Sequence, residues 1–157
     1  MTSSSHNPEG KLAELGLTLP EVAAPVAAYV PAVRTGAYLY TAGQLPFVNG
    51  ELPVTGKVGA EVTPEQAYDC ARLCALNGLA AARSALGDLA AVTQVVKVVV
   101  FVASDPAFTG QPQVANGASE LLGEVFGDVG QHARSAVGVA VLPKDSPVEV
   151  ELVLETS

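Results

Sequence analysis

The residues of this chain best suited to chemistry lie near its end. In "HARSAVGVAVLPKDSPVEVELVLE", residues 132–155, an arginine opens a run of small and β-branched residues, and Glu149, Glu151 and Glu155 punctuate the run that follows. Side chains alternate along extended backbone, so Arg134 shares a face with Ala136, Gly138 and Ala140, while Val137, Val139 and Val141 share the other. On the second run Val148, Val150, Leu152 and Leu154 form one face, and Glu149, Glu151, Val153 and Glu155 the opposite one. A guanidinium with room beside it presents a fork of fixed donors to a carboxylate, and a glutamate in reach of it can act as acid or base. The same spacing also fits an ordinary ion pair of Arg134 with Glu149 or Glu151 across a hairpin, and structural pairs outnumber catalytic ones.

Other reactive groups are few. Ser135 has no His/Asp set around it, which argues against a nucleophilic serine. His132, two before Arg134, reads as a loop histidine or as a polar group at the mouth of an arginine site. Cys70 and Cys74 fall on one side of a predicted helix and read as small buried thiols. With only His6 and His132 in the chain, no Cys/His metal set can be assembled.

The elements that must hold Arg134 and the glutamates follow from local pattern. Residues 1–10 read as unstructured, and "KLAELG" (11–16) as one or two helical turns ended by Gly16, an appendage to the domain. A strand is expected over 26–33 and a second over 37–43, joined by the turn "RTG" into a hairpin. Gly43, Gly50, Gly56 and Gly59 mark 44–61 as a long loop with room for one short strand, and such loops often border sites. "TPEQ" (63–66) carries a capping box that starts a helix from Pro64 to about Leu86, with Gly87 as its stop. Its small residues Ala67, Ala71, Cys74, Gly78, Ala81 and Ala85 form a stripe suited to close packing. The β-branched run 91–104 reads as a central strand covered on both faces, and 112–126 as a second helix before Gly127. Two strands, 133–142 and 148–155, then form the closing hairpin. The order β-β-(β)-α-β-α-β-β describes an α+β fold with helices on one side of a mixed sheet.

Composition narrows the class. At 157 residues the chain fits one domain, here 26–157 behind an N-terminal extension of 1–25. Hydrophobic residues make up 49% and charged residues 15%, an apolar surplus that points to subunit contacts. No apolar run is long enough for a membrane helix, since Gln94 and Lys97 interrupt the longest. The first ten residues lack a basic stretch followed by an apolar core, so a cytoplasmic location is expected. A formal charge of −8 with scattered Lys and Arg argues against nucleic acid as a partner.

Four stretches together resemble the RidA (YjgF-like, L-PSP endoribonuclease-like) imine deaminase family: Thr41 to Pro46, "VVKVVVFVAS" at 95–104, Asn116, and "ARSAVGVAVLPKDSPVEVE" at 133–151. The resemblance implies a chorismate-mutase-like α+β fold assembled as a homotrimer, with clefts between subunits that would use the apolar surplus. It implies that Arg134 holds a substrate carboxylate and that Glu149 activates or positions water, with Tyr29, Gly43, Asn116 and Ala136 lining the cleft. The activity it implies is hydrolysis of 2-imino acids or their enamine tautomers to 2-oxo acids and ammonia, with no cofactor. Many members carry cysteine where this chain has Ala136, and Pro31 stands in place of a usual glutamine. The chain is thereby similar to a divergent branch. Two other functions fit the same likeness: a non-catalytic trimer that binds small carboxylate metabolites, and an endoribonuclease, which the acidic charge and the lack of a histidine pair disfavour.

Overall fold

The computed structural model describes residues 6–22 and 28–157. Helix α1, Pro8–Glu14, begins earlier than the sequence predicts, because Asn7 caps it by accepting from the Gly10 amide at 3.0 Å. It is packed onto the domain. Leu12 is 2% exposed within the core, and Glu9 pairs with Arg83 at 2.6 Å while accepting from the Leu89 amide.

Strands β1, Ala32–Thr35, and β2, Tyr38–Thr41, form the expected hairpin, shorter and shifted along the chain. Val26 and Ala27 of the expected first strand lie outside the described residues. Arg34 and Thr35 are strand residues, and the turn is made at Gly36, whose φ of +56° suits glycine. The stretch 44–61 forms only isolated bridges, of which Gln44 with Val150 ties its start to the sheet.

Helix α2, Pro64–Leu86, has the predicted limits: Thr63 and Gln66 exchange hydrogen bonds as a capping box, and Gly87 ends it at φ +85°. Its small stripe is buried from Ala67 to Ala81, whereas Ala85 is exposed. An added Cβ at Gly78 would meet Leu152 Cδ1 at 2.9 Å, so the absent side chain is what lets α2 lie on the sheet. Strand β3 is Val92–Ala103, and helix α3, Gln111–Phe126, follows. Strand β4, Ala133–Val139, and strand β5, Val148–Thr156, complete the sheet in the order β1-β2-β5-β3-β4.

This order corrects two expectations. Strands β4 and β5 are not a hairpin: β4 runs parallel to β3 at the edge, β5 is antiparallel to both β2 and β3, and β3 separates β5 from β4. The central strand is β5. Nor is β3 covered on both faces. Val95, Val98, Val100 and Val102 are fully buried beneath α2 and α3, while Val99 and Phe101 on the opposite face are only half-buried. That opposite face also carries Val33, Tyr38, Tyr40 and Val137, all exposed. Part of the apolar surplus of the composition is therefore displayed on one open side of the sheet.

Candidate functional site

Arg134 stands on β4 opposite the buried Val98, which aims it at the helix-bearing face and brings it beside α3. There Nη1 donates to Asn116 Oδ1 at 2.8 Å and to Ser119 Oγ at 3.1 Å. Asn116 and Ser119 are one turn apart on α3, so a single helical face grips one nitrogen of the fork. Ser119 in turn lies 2.8 Å from His132 Nε2, and His132 Nδ1 lies 2.7 Å from the Gly130 carbonyl. Arg134 is half-buried and has no carboxylate partner among the described residues. The ion pair with Glu149 or Glu151 does not form, for a topological reason. With β3 intervening, their backbones are two strand spacings apart, about 10 Å, and Glu149 sits level with Phe101 on the other face.

The small residues next to Arg134 serve packing as well as space. Ala136 touches the core, and a Cβ at Gly138 would lie 3.0 Å from Gln111 Nε2, whose amide is held by Phe108 O and Ser104 Oγ. Their size lets the first turn of α3 lie against the sheet edge.

Glu149 gathers a second group. The bridge of Gln44 with Val150, made by two backbone hydrogen bonds of 2.8 and 3.0 Å, lays Gly43 directly over the Glu149 carboxyl. The space there accepts no side chain while the carboxyl stays in place: a Cβ at Gly43 would sit 2.8 Å from Glu149 Cδ and closer still to Oε1. A cavity of about 740 Å³ opens beside them and is lined by Tyr29, Gly43, Phe47, Asn77, Lys144 and Glu149 among others. Asn77 of α2 holds its wall by donating to the carbonyls of Leu45 and Phe47 at 2.9 and 3.1 Å. Burial pushes the Glu149 carboxyl above the usual carboxylate range, and the negative charge of Glu151 two residues on pushes it the same way. Such a group holds a proton more readily than an exposed glutamate does.

The residues singled out in the sequence thus fall into two sets within one chain. Arg134, Asn116 and Ala136 lie together at the β4 edge on the helix side; Tyr29, Gly43 and Glu149 lie together around the cavity. Sequence reasoning misses Ser119 and the structural role of His132. The only signal for the serine is that it follows Asn116 by three positions in a predicted helix. The two cysteines are not part of either set: burial raises Cys70 to about 11 and holds Cys74 well above its ordinary value.

A five-stranded mixed sheet backed by two long helices, with an arginine on the edge strand and a glutamate on the central one, is the chorismate-mutase-like α+β arrangement. The chain matches, over residues 9–156, the family described as "YjgF/chorismate mutase-like, putative endoribonuclease". It is 48% identical to protein TCP17 of Trypanosoma cruzi over 145 residues, which are 92% of this chain and 91% of that protein. The solved structure of Atu1372, a protein of unknown function from Agrobacterium tumefaciens, superposes with a TM-score of 0.90 at 46% identity, covering 96% of this chain and 92% of the other. Escherichia coli TdcF, solved with bound serine, superposes with a TM-score of 0.62 at 26% identity, covering 89% and 96%. The chain belongs to the YjgF/RidA family.

Proposed function

We propose that this protein hydrolyses 2-imino acids, or their enamine tautomers, to 2-oxo acids and ammonia in a cleft between subunits of a cytoplasmic homotrimer. The observation that carries this reading is Arg134: one edge of its guanidinium is fixed by Asn116 and Ser119, and among the described residues no carboxylate neutralises it. A fixed fork without an internal carboxylate suits a small carboxylate ligand. The open apolar sheet face with Tyr38, Tyr40 and Val137 is the surface on which a second copy would pack. On that reading the Glu149 set of one subunit faces the Arg134 set of its neighbour, and the site is complete only in the assembly.

The chemistry needs no cofactor. With the carboxylate held, water adds to the imine carbon as its proton passes to Glu149 or to the nitrogen. The resulting carbinolamine then loses its amino group as ammonia, and the hydroxyl becomes the carbonyl of the 2-oxo acid. A carboxyl that takes and returns a proton easily is suited to this relay, and the raised proton affinity of Glu149 fits it. Binding without turnover is the second reading. It is favoured by the serine bound in TdcF and by Ala136 in place of the usual cysteine. Cleavage of RNA fits poorly with a charge of −8 and scattered cations.

The test generates a short-lived imine with an amino-acid oxidase in the presence of semicarbazide, which traps it. An active protein lowers the yield of semicarbazone, and Arg134→Ala does not. Equal activity in that variant removes the arginine from the mechanism. Saturable binding of 2-oxobutyrate with no effect on trapping selects the second reading.

A further inference from the structure

The chain of contacts behind Arg134 has a defined direction. A backbone carbonyl only accepts, so the 2.7 Å contact to Gly130 O places the proton of the neutral His132 ring on Nδ1. Nε2 is then an acceptor, and the Ser119 hydroxyl must donate to it across 2.8 Å. With its proton committed to the histidine, Ser119 Oγ offers its lone pairs outward, where Arg134 Nη1 donates into them. The far end of the chain is closely packed: Gly130 sits so tightly against the end of α3 that an added Cβ would lie 3.2 Å from Phe126 Cβ and closer to the Leu122 carbonyl. Nη1 spends its two protons on Asn116 and Ser119, while Nε and Nη2 have no partner among the described residues.

We propose that Ser119 and His132 are positioning residues, which lock the Arg134 guanidinium by its Nη1 edge so that Nε and Nη2 are presented as a pair to the substrate carboxylate. This rests on the imine-hydrolase reading for the identity of the carboxylate, though not for the relay itself. Asn116 alone would leave the guanidinium free to pivot about one hydrogen bond. The second grip fixes the plane of the fork, and bidentate recognition depends on that plane.

The experiment compares wild type with Ser119→Ala, Ser119→Thr and His132→Ala. In the trapping assay Ser119→Ala is expected to raise KM for a carboxylate-bearing imine roughly 10–100-fold, the worth of one hydrogen bond to a charged group, and to lower kcat far less. Ser119→Thr keeps the hydroxyl and restores most of the loss, and His132→Ala falls between the two. A threonine no better than alanine, or a loss that falls on kcat and leaves KM unchanged, overturns the proposal. If wild type does not hydrolyse imines, the functional reading fails and the relay is decided by NMR on the free protein. Nitrogen shifts of His132 must report the Nδ1–H tautomer, and Ser119→Ala must move or broaden the Arg134 Nε–H signal while backbone amides elsewhere stay in place. An Nε2–H tautomer, or an unmoved arginine signal, overturns it.

Discussion

Replacing Gly43 by alanine tests whether the position of the Glu149 carboxyl matters. The added Cβ would lie 2.8 Å from Glu149 Cδ and 3.1 Å from Cγ, whereas carbon atoms in ordinary contact sit about 3.5–4.0 Å apart. The carboxyl must therefore move by about 1 Å, because Gly43 is pinned to β5 by the backbone bonds of Gln44 with Val150 and cannot retreat. The cavity gives it somewhere to go, so the fold survives. Nor does the backbone resist, since Gly43 is not among the glycines at positive φ. A displacement of that size at a group that positions water costs about 10²-fold in rate.

The assay is the semicarbazide competition, run beside a thermal melt. The expected outcome is a loss of about two orders of magnitude in kcat/KM with little change in Tm. Glu149→Gln should match that loss, because it keeps the shape and removes the basic oxygen. Full activity in Gly43→Ala would refute the assignment of Glu149, whatever the fate of Arg134. Loss of activity together with a large fall in Tm would mean that the loop had detached, and a small carboxylate titrated against both proteins would separate the two cases. Where only the Glu149 carboxyl has shifted, the Arg134 set still binds that carboxylate.

Three further outcomes follow from the same geometry. Glu149 keeps its proton to higher pH in the folded protein than in the unfolded chain, so its contribution lowers stability as pH rises from its ordinary range through its raised folded value. Glu149→Gln should accordingly be more stable than wild type at neutral pH in urea melts, and the difference should vanish in acid; a constant difference across pH would refute this. Cys70, raised to about 11 by burial and by the charge of Asp69, and the fully enclosed Cys74 should both be silent toward a thiol reagent at neutral pH until the chain unfolds, when both react; a thiol that reacts in the native protein contradicts this. Gly117→Ala should cost about 1–3 kcal/mol in denaturant melts, because the new methyl meets the backbone of α2 at the Tyr68 carbonyl carbon and the Arg72 nitrogen, 3.0 and 3.2 Å away, with the Tyr68 oxygen closer still, and backbone cannot turn aside as a side chain would. No loss there would mean that α2 and α3 do not approach so closely.

Much of the fold is legible because its signals are local. The capping box at Thr63, the stop at Gly87 and the apolar spacing of 112–126 each declare themselves within one helix, and all three stand where the pattern places them. What the pattern cannot carry is which strand lies beside which. Alternation assigns Arg134 and Ala136 to one face of β4 correctly, yet it is indifferent to whether the next strand is β5 or β3. Consecutive strands are neighbours more often than not, and the hairpin expected over 133–155 follows that tendency. The chain instead passes from β4 over the end of β3, through a turn in which Lys144 and Asp145 take positive φ, to insert β5 between β2 and β3. Nothing in the residues of 140–147 states how far the strand after them will travel.

The candidate site divides along the same line. An arginine among small residues on a strand is conspicuous by type, and a glutamate in a Val-Glu-Val-Glu run equally so, which is why both can be picked out. Their relation cannot, because it is a property of topology and register: β3 separates them, Arg134 lies level with Val98 and Glu149 with Phe101 on the opposite face, and an ion pair between them within the chain is excluded. That exclusion also gives the arginine its interest. A guanidinium that could reach Glu149 in its own chain would be neutralised and inert as a carboxylate receptor, whereas one anchored to the neutral Asn116 and Ser119 keeps its full charge and most of its donors. Ser119 and His132 are ordinary residues in the sequence, and they acquire meaning only when the parallel pairing of β4 with β3 carries the strand back beside α3. The residues that make an arginine available are harder to read than the arginine, because what they supply is neutrality and a fixed angle, and neither leaves a mark in composition or spacing.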